Sequence, residues 1–112
     1  MREDLVFHLV KKNVWEEKKS NSRYHPESID SQGFIECISG KDIEPVVNNK
    51  FKGEKGILLI VINTALIEPK LKYEEDSESK VTRPRIYGPL NLDAVIDKIE
   101  LAPEEDGSFQ IS

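Results

Sequence analysis

The chain has 112 residues, of which 38% are hydrophobic and 33% charged, and its formal net charge is −5. These values predict one domain, residues 1–112, with a thin hydrophobic core. The acidic balance argues against a nucleic-acid partner, and no apolar stretch reaches the roughly 18 residues of a membrane span. The single cysteine, Cys37, excludes an intrachain disulfide, and no signal-peptide pattern follows Met1, so a cytoplasmic location is expected.

The start of the chain predicts a strand followed by a short helix. Residues 5–10 form an almost continuous apolar run interrupted by one histidine, which is typical of a buried strand. Asn13 and Glu16 have the spacing of a capping box. We therefore predict a helix over residues 14–20, with Trp15 directed inward as its anchor.

The next segment predicts a turn, a second strand and a second helix. Residues 25–28 are expected to form a turn with at most one helical turn after the proline, and residues 34–38 a strand. A helix capped by Ser39 or Asp42 is expected to run to Phe51, with a proline tolerated in its first turn.

The second half of the chain is predicted to consist mainly of strands. Residues 57–62 are apolar on both faces, which predicts a central strand covered on both sides. Residues 71–74 alternate like a strand, whereas residues 75–85 are predicted to be a charged loop. Residues 95–101 and 109–111 are predicted to be closing strands joined by a turn. Helices early and strands late favour the α+β class.

Chemically reactive side chains are few. Cys37 is predicted to be a small buried hydrophobic residue, because no basic neighbour is expected to stabilise its thiolate. His25 is expected to be an exposed turn residue, and with His8 and Cys37 as the other soft ligands no metal site is predicted. Tyr87 precedes Gly88 and Pro89, which are predicted to form a rigid turn that places the tyrosine side chain at the end of a sheet.

Several residue groups resemble, in order and spacing, the domain of unknown function 952 family. They are His8, Trp15, Tyr24 with Pro26, Glu27 and Ser28, Gly33 to Ile35 with Cys37, Tyr73 with Glu74, Ile86 to Leu90, Asp93 to Val95, and Asp106 with Gly107 and Phe109. The resemblance spans about residues 5–111. It implies an ADP-ribosyltransferase-like fold, with a curved, split, mostly antiparallel sheet and short helices early in the chain.

The same resemblance implies chemistry at two residues. In that fold an early strand carries a histidine that holds the ribose of NAD, which corresponds here to His8. A later acidic residue orients the nicotinamide ribose, which corresponds here to Glu74. His8 and Glu74 are therefore the catalytic residues that the resemblance implies.

The sequence also departs from the family pattern. Glu36 stands where the family usually has histidine, and Arg85 ends a run where the family has Phe-Pro-His. An arginine cannot release a proton and an ordinary glutamate is already ionised near neutral pH. Acid/base chemistry by those histidines would be lost or rewired here. One hypothesis is that Glu36 and Arg85 pair across the site.

Two classes of function follow from this pattern. The first is a cleft that binds NAD or another small anionic nucleotide-like ligand, with catalysis left open. Its predicted lining is His8, Ser28, Glu36, Glu74, Arg85 and Tyr87. The second is a non-catalytic interaction or sensor module on the same scaffold. The sequence leaves the oligomeric state open.

Overall fold

The computed structural model describes residues 4–77 and 80–110. Its strands are β1 (Leu5–Lys11), β2 (Arg23–Tyr24), β3 (Ile35–Glu36), β4 (Ile57–Asn63), β5 (Lys70–Glu75), β6 (Thr82–Tyr87), β7 (Leu90–Asn91) and β8 (Val95–Leu101). Its helices are α1 (Lys12–Lys18), α2 (Glu27–Gln32) and α3 (Ile43–Lys50), with 3₁₀ turns at Gly40–Asp42, Thr64–Leu66 and Leu92–Ala94. All described strand pairs are antiparallel, which confirms the α+β class and the mostly antiparallel sheet.

The first sheet has the order β1-β4-β8 and contains the predicted central strand. Residues 57–62 of β4 are buried without a break, because both faces of the strand are covered. Leu59 packs with Ile43 on the α3 side, whereas Ile60 lies in the larger core cluster on the opposite side. The apolar run that predicted this strand is therefore explained by two-sided burial.

The second sheet has the order β3-β6-β5, and a separate pair joins β2 to β7. The predicted loop over residues 75–85 is wrong, since β6 occupies Thr82–Tyr87. Pro84 and Ile86 point into the core, and the residues that alternate with them, Arg83, Arg85 and Tyr87, face the other side of the sheet. The charged outward residues hid this alternation in the sequence.

The early helices differ from the prediction in their ends. Helix α1 begins at Lys12, and its N-cap Lys11 makes no side-chain capping bond, so the predicted capping box is wrong. Trp15 is buried, as predicted. Helix α2 has six residues, longer than the predicted single turn, and ends at Gly33, whose φ of 90° suits glycine.

The last helix and the C-terminal segment also correct the sequence interpretation. Helix α3 follows a 3₁₀ turn and receives no side-chain cap from Ser39 or Asp42. Phe109 is not in a strand but is buried beside α3, where the Asn48 amide bonds its N–H at 2.7 Å and its carbonyl at 3.0 Å. Residue 111 lies outside the described residues.

The described helices can be compared with the length that a membrane span requires. Among residues 4–77 and 80–110, no helix is both long and apolar enough to cross a bilayer.

Candidate ligand-binding cleft

A cleft of about 640 Å³ opens where the two three-stranded sheets come apart. β1 and the segment after β3 are bridged at Phe7 and Ile38, which exchange backbone hydrogen bonds of 2.9 and 2.7 Å. The cleft is lined by residues of β1, α2, the segment after β3, α3 and the β5–β6 hairpin: Phe7, His8, Leu9, Ser28, Gln32, Glu36, Ile38, Val46, Asn49, Lys50, Phe51, Asp76 and Arg83. Its volume is in the range of small-molecule sites.

His8 is held in a fixed tautomer beside this cleft. Its Nδ1 lies 2.9 Å from the backbone carbonyl of Glu36, which can only accept, so Nδ1 carries the proton. Its Nε2 lies 2.8 Å from the Tyr24 hydroxyl, which therefore donates to the ring. The side chain thus ties β1 to both β3 and β2.

Electrostatics keep His8 neutral. Burial lowers the pKa of His8 to about 4, and the positive charge of Lys50 acts in the same direction, against the opposing effect of the Glu36 carbonyl. The Tyr24 phenol is fully buried, with its ring centroid 4.6 Å from that of Trp15, and burial raises its pKa. Because both ring nitrogens of His8 are hydrogen-bonded within the protein, neither is free to exchange a proton with a ligand.

The cleft offers two positive groups to a ligand. Within residues 4–77 and 80–110, neither Lys50 nor Arg83 forms an ion pair within 4 Å. Over the same residues the Glu36 carboxylate is also without an ion pair. The aromatic rings of Phe7 and Phe51 lie on the same lining. Cationic, carboxylate and aromatic groups thus face one space.

A second cluster lies on the outward face of the β3-β6-β5 sheet. Tyr87 donates its hydroxyl proton to Glu74, and Nη1 of Arg85 lies 3.6 Å from the same Glu74 oxygen. The Arg85 guanidinium also lies over the Phe34 ring, 4.4 Å from its centroid. The Tyr87 hydrogen bond, together with Arg85 and Lys72, holds the pKa of Glu74 below its usual value against some desolvation, and the same hydrogen bond raises the pKa of Tyr87.

The structure separates the predicted site residues into two groups. His8, Ser28 and Glu36 line the cleft. Glu74, Arg85 and Tyr87 do not line it and form the outward cluster instead. Asp76 lies between the two groups: it lines the cleft, and its Oδ1 is 3.8 Å from Nη2 of Arg85.

The hypothesis of a Glu36–Arg85 ion pair is wrong. The two residues are opposite each other in the β3–β6 register, but the ion pairs of Arg85 are with Glu74 and Asp76. The sequence interpretation also missed Lys50 and Arg83 as cleft residues. Lys50 ends an amphipathic helix and Arg83 sat in a predicted loop, so no local pattern marked either residue.

Other candidates have structural explanations. Cys37 is fully buried and burial raises the pKa of its thiol, which confirms it as a small core residue. The lysines and the arginine of residues 11–23 are in ion pairs, among them Lys11 with Glu54 at 2.9 Å and Arg23 with Glu68. Among the residues described, no three His, Cys, Asp or Glu side chains are grouped to hold a metal ion.

Comparison with known structures identifies the fold. An X-ray structure of protein CC0527 from Caulobacter crescentus is 22% identical, covers 95% of this chain and 93% of that chain, and gives a TM-score of 0.81. A double mutant of that protein gives the same values. Its solution NMR structure is 23% identical over 96% of this chain and 92% of that chain, with a TM-score of 0.78. At these identities the likeness establishes the fold alone.

The sequence comparisons identify the family. No curated protein matches the chain significantly. The family model described as "Protein of unknown function (DUF952)" matches residues 9–98, which is most of the chain. The ADP-ribosyltransferase-like fold implied by the resemblance stays a prediction. The chain belongs to the DUF952 family.

Proposed function

We propose that this protein is a ligand-binding domain whose cleft takes a small nucleotide-like anion. The observation that carries the proposal is a cleft of about 640 Å³ with aromatic lining that also holds Lys50 and Arg83, two cations without an ion pair within residues 4–77 and 80–110. A charged group without a partner is well placed to gain a charge-assisted hydrogen bond from a ligand. Phosphate oxygens match the guanidinium fork of Arg83 and the point charge of Lys50.

The rest of the lining supports a nucleoside attached to that phosphate. Phe7 and Phe51 offer apolar aromatic surface to a base. Glu36 offers carboxylate oxygens, which only accept hydrogen bonds and therefore suit the hydroxyl groups of a ribose. A carboxylate beside the phosphate would repel it, so Glu36 is expected to contact the ribose, with the phosphate on the two cations.

NAD and ADP-ribose are the first diphosphate-containing nucleotides to test, because the family resemblance implies an ADP-ribosyltransferase-like fold. Binding without transfer of ADP-ribose is proposed, for two reasons. Both nitrogens of His8 are already hydrogen-bonded within the protein. Glu74, the implied catalytic carboxylate, is bonded to Tyr87 outside the cleft lining. A sensor of the ligand fits these contacts better than an enzyme.

Calorimetric titration tests this proposal with AMP, adenosine, inorganic phosphate, NAD and ADP-ribose. AMP is expected to bind more tightly than adenosine, because only AMP engages the two cations. Lys50→Gln and Arg83→Gln are each expected to weaken AMP binding about 10-fold. Lys55→Gln, which removes an exposed cation outside the cleft lining, is the matched control and is expected to bind like the parent.

The role of Glu36 is separated from that of the cations by one further variant. Glu36→Gln keeps the size of the side chain but weakens its acceptor character, so adenosine should lose affinity, and AMP should lose less because the removed charge also repels its phosphate. The proposal is overturned if the parent binds none of these compounds, or if Lys55→Gln weakens AMP binding as much as the cleft variants do. An interaction module without a small ligand would then be the better interpretation.

A further inference from the structure

Strand β8 leaves one side of the first sheet open. β4 is its neighbour on one side, and no described strand pairs with the other. The strand is seven residues long and mostly exposed, with 51% of Ile96 and 42% of Ile99 accessible to solvent. An edge strand presents unpaired N–H and C=O groups, which can form a ladder with another strand.

The ladder fixes which backbone groups of β8 face outward. Phe7 exchanges hydrogen bonds with Ile38, so its backbone groups point away from β4. Bonded and non-bonded pairs alternate in antiparallel ladders, so the next pair, His8 with Ile60, is bonded and the backbone groups of Ile60 point toward β1. Lys98 lies opposite Ile60 on the other side of β4. This second pair is therefore non-bonded, and the backbone groups of Lys98 point to the free edge. The Lys98 N–H indeed bonds the Asp97 carboxylate, at 2.7 Å, and not β4. The backbone groups of Glu100, two residues further along β8, also point to the free edge.

We infer that two copies of this chain associate by antiparallel pairing of their β8 strands, with Ile99 opposite Ile99 of the second copy. This register sets Lys98 opposite Glu100 of the other copy, twice by symmetry. Both residues direct their backbone groups outward, so they form bonded pairs in which the Lys98 N–H exchanges the Asp97 carboxylate for the Glu100 carbonyl of the other copy. The charges of Lys98 and Glu100 are complementary. The two isoleucines meet at the centre as a non-bonded pair, in which side chains are closest.

Other registers are disfavoured by charge or by backbone. Centring the pair on Lys98, Asp97 or Glu100 places two like charges directly opposite each other, which is destabilising. Centring it on Leu101 would extend the ladder onto residues 102–104, which lie beyond the end of β8, where the Glu104 N–H already bonds the Ser108 carbonyl at 2.7 Å. Val95 and Ile96 lie at the irregularity where the β4–β8 register shifts. Ile99 is the remaining centre, and the product is one six-stranded sheet across two copies.

Charge reversal tests the register by sedimentation at concentrations up to about 1 mM, because a contact of two strands is small. The parent is expected to dimerise, and Lys98→Glu and Glu100→Lys alone are each expected to be monomeric, since each creates two like-charge pairs. Mixed together, the two variants should form a heterodimer, because every opposite pair regains unlike charges. Lys12→Gln removes the intrachain partner that lies 3.4 Å from Glu100 and is expected to leave the dimer intact.

Disulfide trapping gives a second measurement that does not depend on affinity. Cα atoms of a non-bonded pair are about 4.5 Å apart, within reach of a disulfide. Ile99→Cys should therefore cross-link rapidly with an added chemical oxidant, while Lys98→Cys, whose copies are diagonal neighbours, should not. The native Cys37 is buried and does not compete. A monomeric parent, failure of the mixed variants to associate, or equal cross-linking at both positions would overturn the inference.

Discussion

The two three-stranded sheets of this protein are stabilised in different ways. The β1-β4-β8 sheet is built around a strand whose residues 57–62 are all buried. The β3-β6-β5 sheet buries one face, around Ile35 and Ile86, and leaves the other to an ion-pair and aromatic cluster around Arg85. Apolar burial gives the first sheet most of its stability, whereas the partly buried ion pairs of Arg85 on the second sheet contribute less energy. We therefore expect the charged face of the second sheet to tolerate substitution better than the buried strand of the first.

The largest expected effect tests the burial of the central strand. Leu59→Ala removes a buried side chain packed against Ile38 and Ile43, and we expect a loss of about 2–5 kcal/mol in the free energy of unfolding. Leu66→Ala, at a leucine that is 48% exposed, should change stability by less than about 0.5 kcal/mol. Urea unfolding measures both. Similar losses for the two variants would remove the distinction between buried and exposed sites.

The second effect concerns the hydrogen bonds that join the sheets. Tyr24→Phe deletes the donor to Nε2 of His8 and leaves a partly buried acceptor without its partner, at an expected cost of about 1–3 kcal/mol. Tyr73→Phe, at a tyrosine that is 54% exposed, is the matched control and should be nearly neutral. If thermal unfolding shows the two variants to be equally stable, His8 does not depend on Tyr24.

The third effect is a pH dependence that originates in the first sheet. Burial lowers the pKa of His8 from 6.5 to about 4, so between these values the unfolded chain binds a proton that the folded chain does not. The contribution of His8 to stability is therefore complete above pH 6.5 and is lost as pH falls toward about 4. Urea midpoints should fall over this window in the parent.

The control for this pH dependence uses the other histidine. His8→Gln should flatten the slope of stability against pH between about 6.5 and about 4.5, whereas His25→Gln, at the exposed histidine, should retain it. A parent whose urea midpoint is constant over this window would show that His8 does not carry the effect.

The smallest expected effect tests the charged face of the second sheet. Arg85→Met removes two ion pairs and a cation–π contact but keeps an apolar stem over Phe34, so a loss of about 1 kcal/mol is expected. The loss should shrink in high salt, which screens the ion pairs. Arg83→Met, which removes a cation without an ion pair among the described residues, should be close to neutral. If the loss of stability in Arg85→Met does not depend on salt, Arg85 stabilises the sheet by packing and not by its ion pairs.

The contrast between the sheets also explains how much of the fold the sequence could predict. The continuous apolar residues of 57–62 and the near-continuous run of 5–10 predict strands directly, because burial on both sides excludes polar residues. Strand β6 was missed because Pro84 normally argues against a strand and because Arg83 and Arg85 occupy its outward face. Strands with charged outward residues resemble loops when only composition is considered.

The candidate site was predicted less completely than the fold. The resemblance pointed to His8, Ser28 and Glu36, which do line the cleft. Lys50 and Arg83 reach it from elements far apart in the chain, and only the tertiary arrangement brings them together. The hydrogen bond from Tyr24 to His8 joins residues on two strands that are not neighbours, so no local pattern could have indicated that the histidine is fully engaged.

The strand order of the first sheet has a consequence for how the chain folds. The middle strand finds both of its partners far away in sequence: Leu9 lies opposite Leu59, and Leu59 lies opposite Ile99. Neither pairing can form through a hairpin, so two long loops must close before the most buried strand gains its contacts. Chains dominated by such distant contacts refold on the millisecond-to-second scale, and Trp15, the single tryptophan, is a built-in fluorescent reporter of that step.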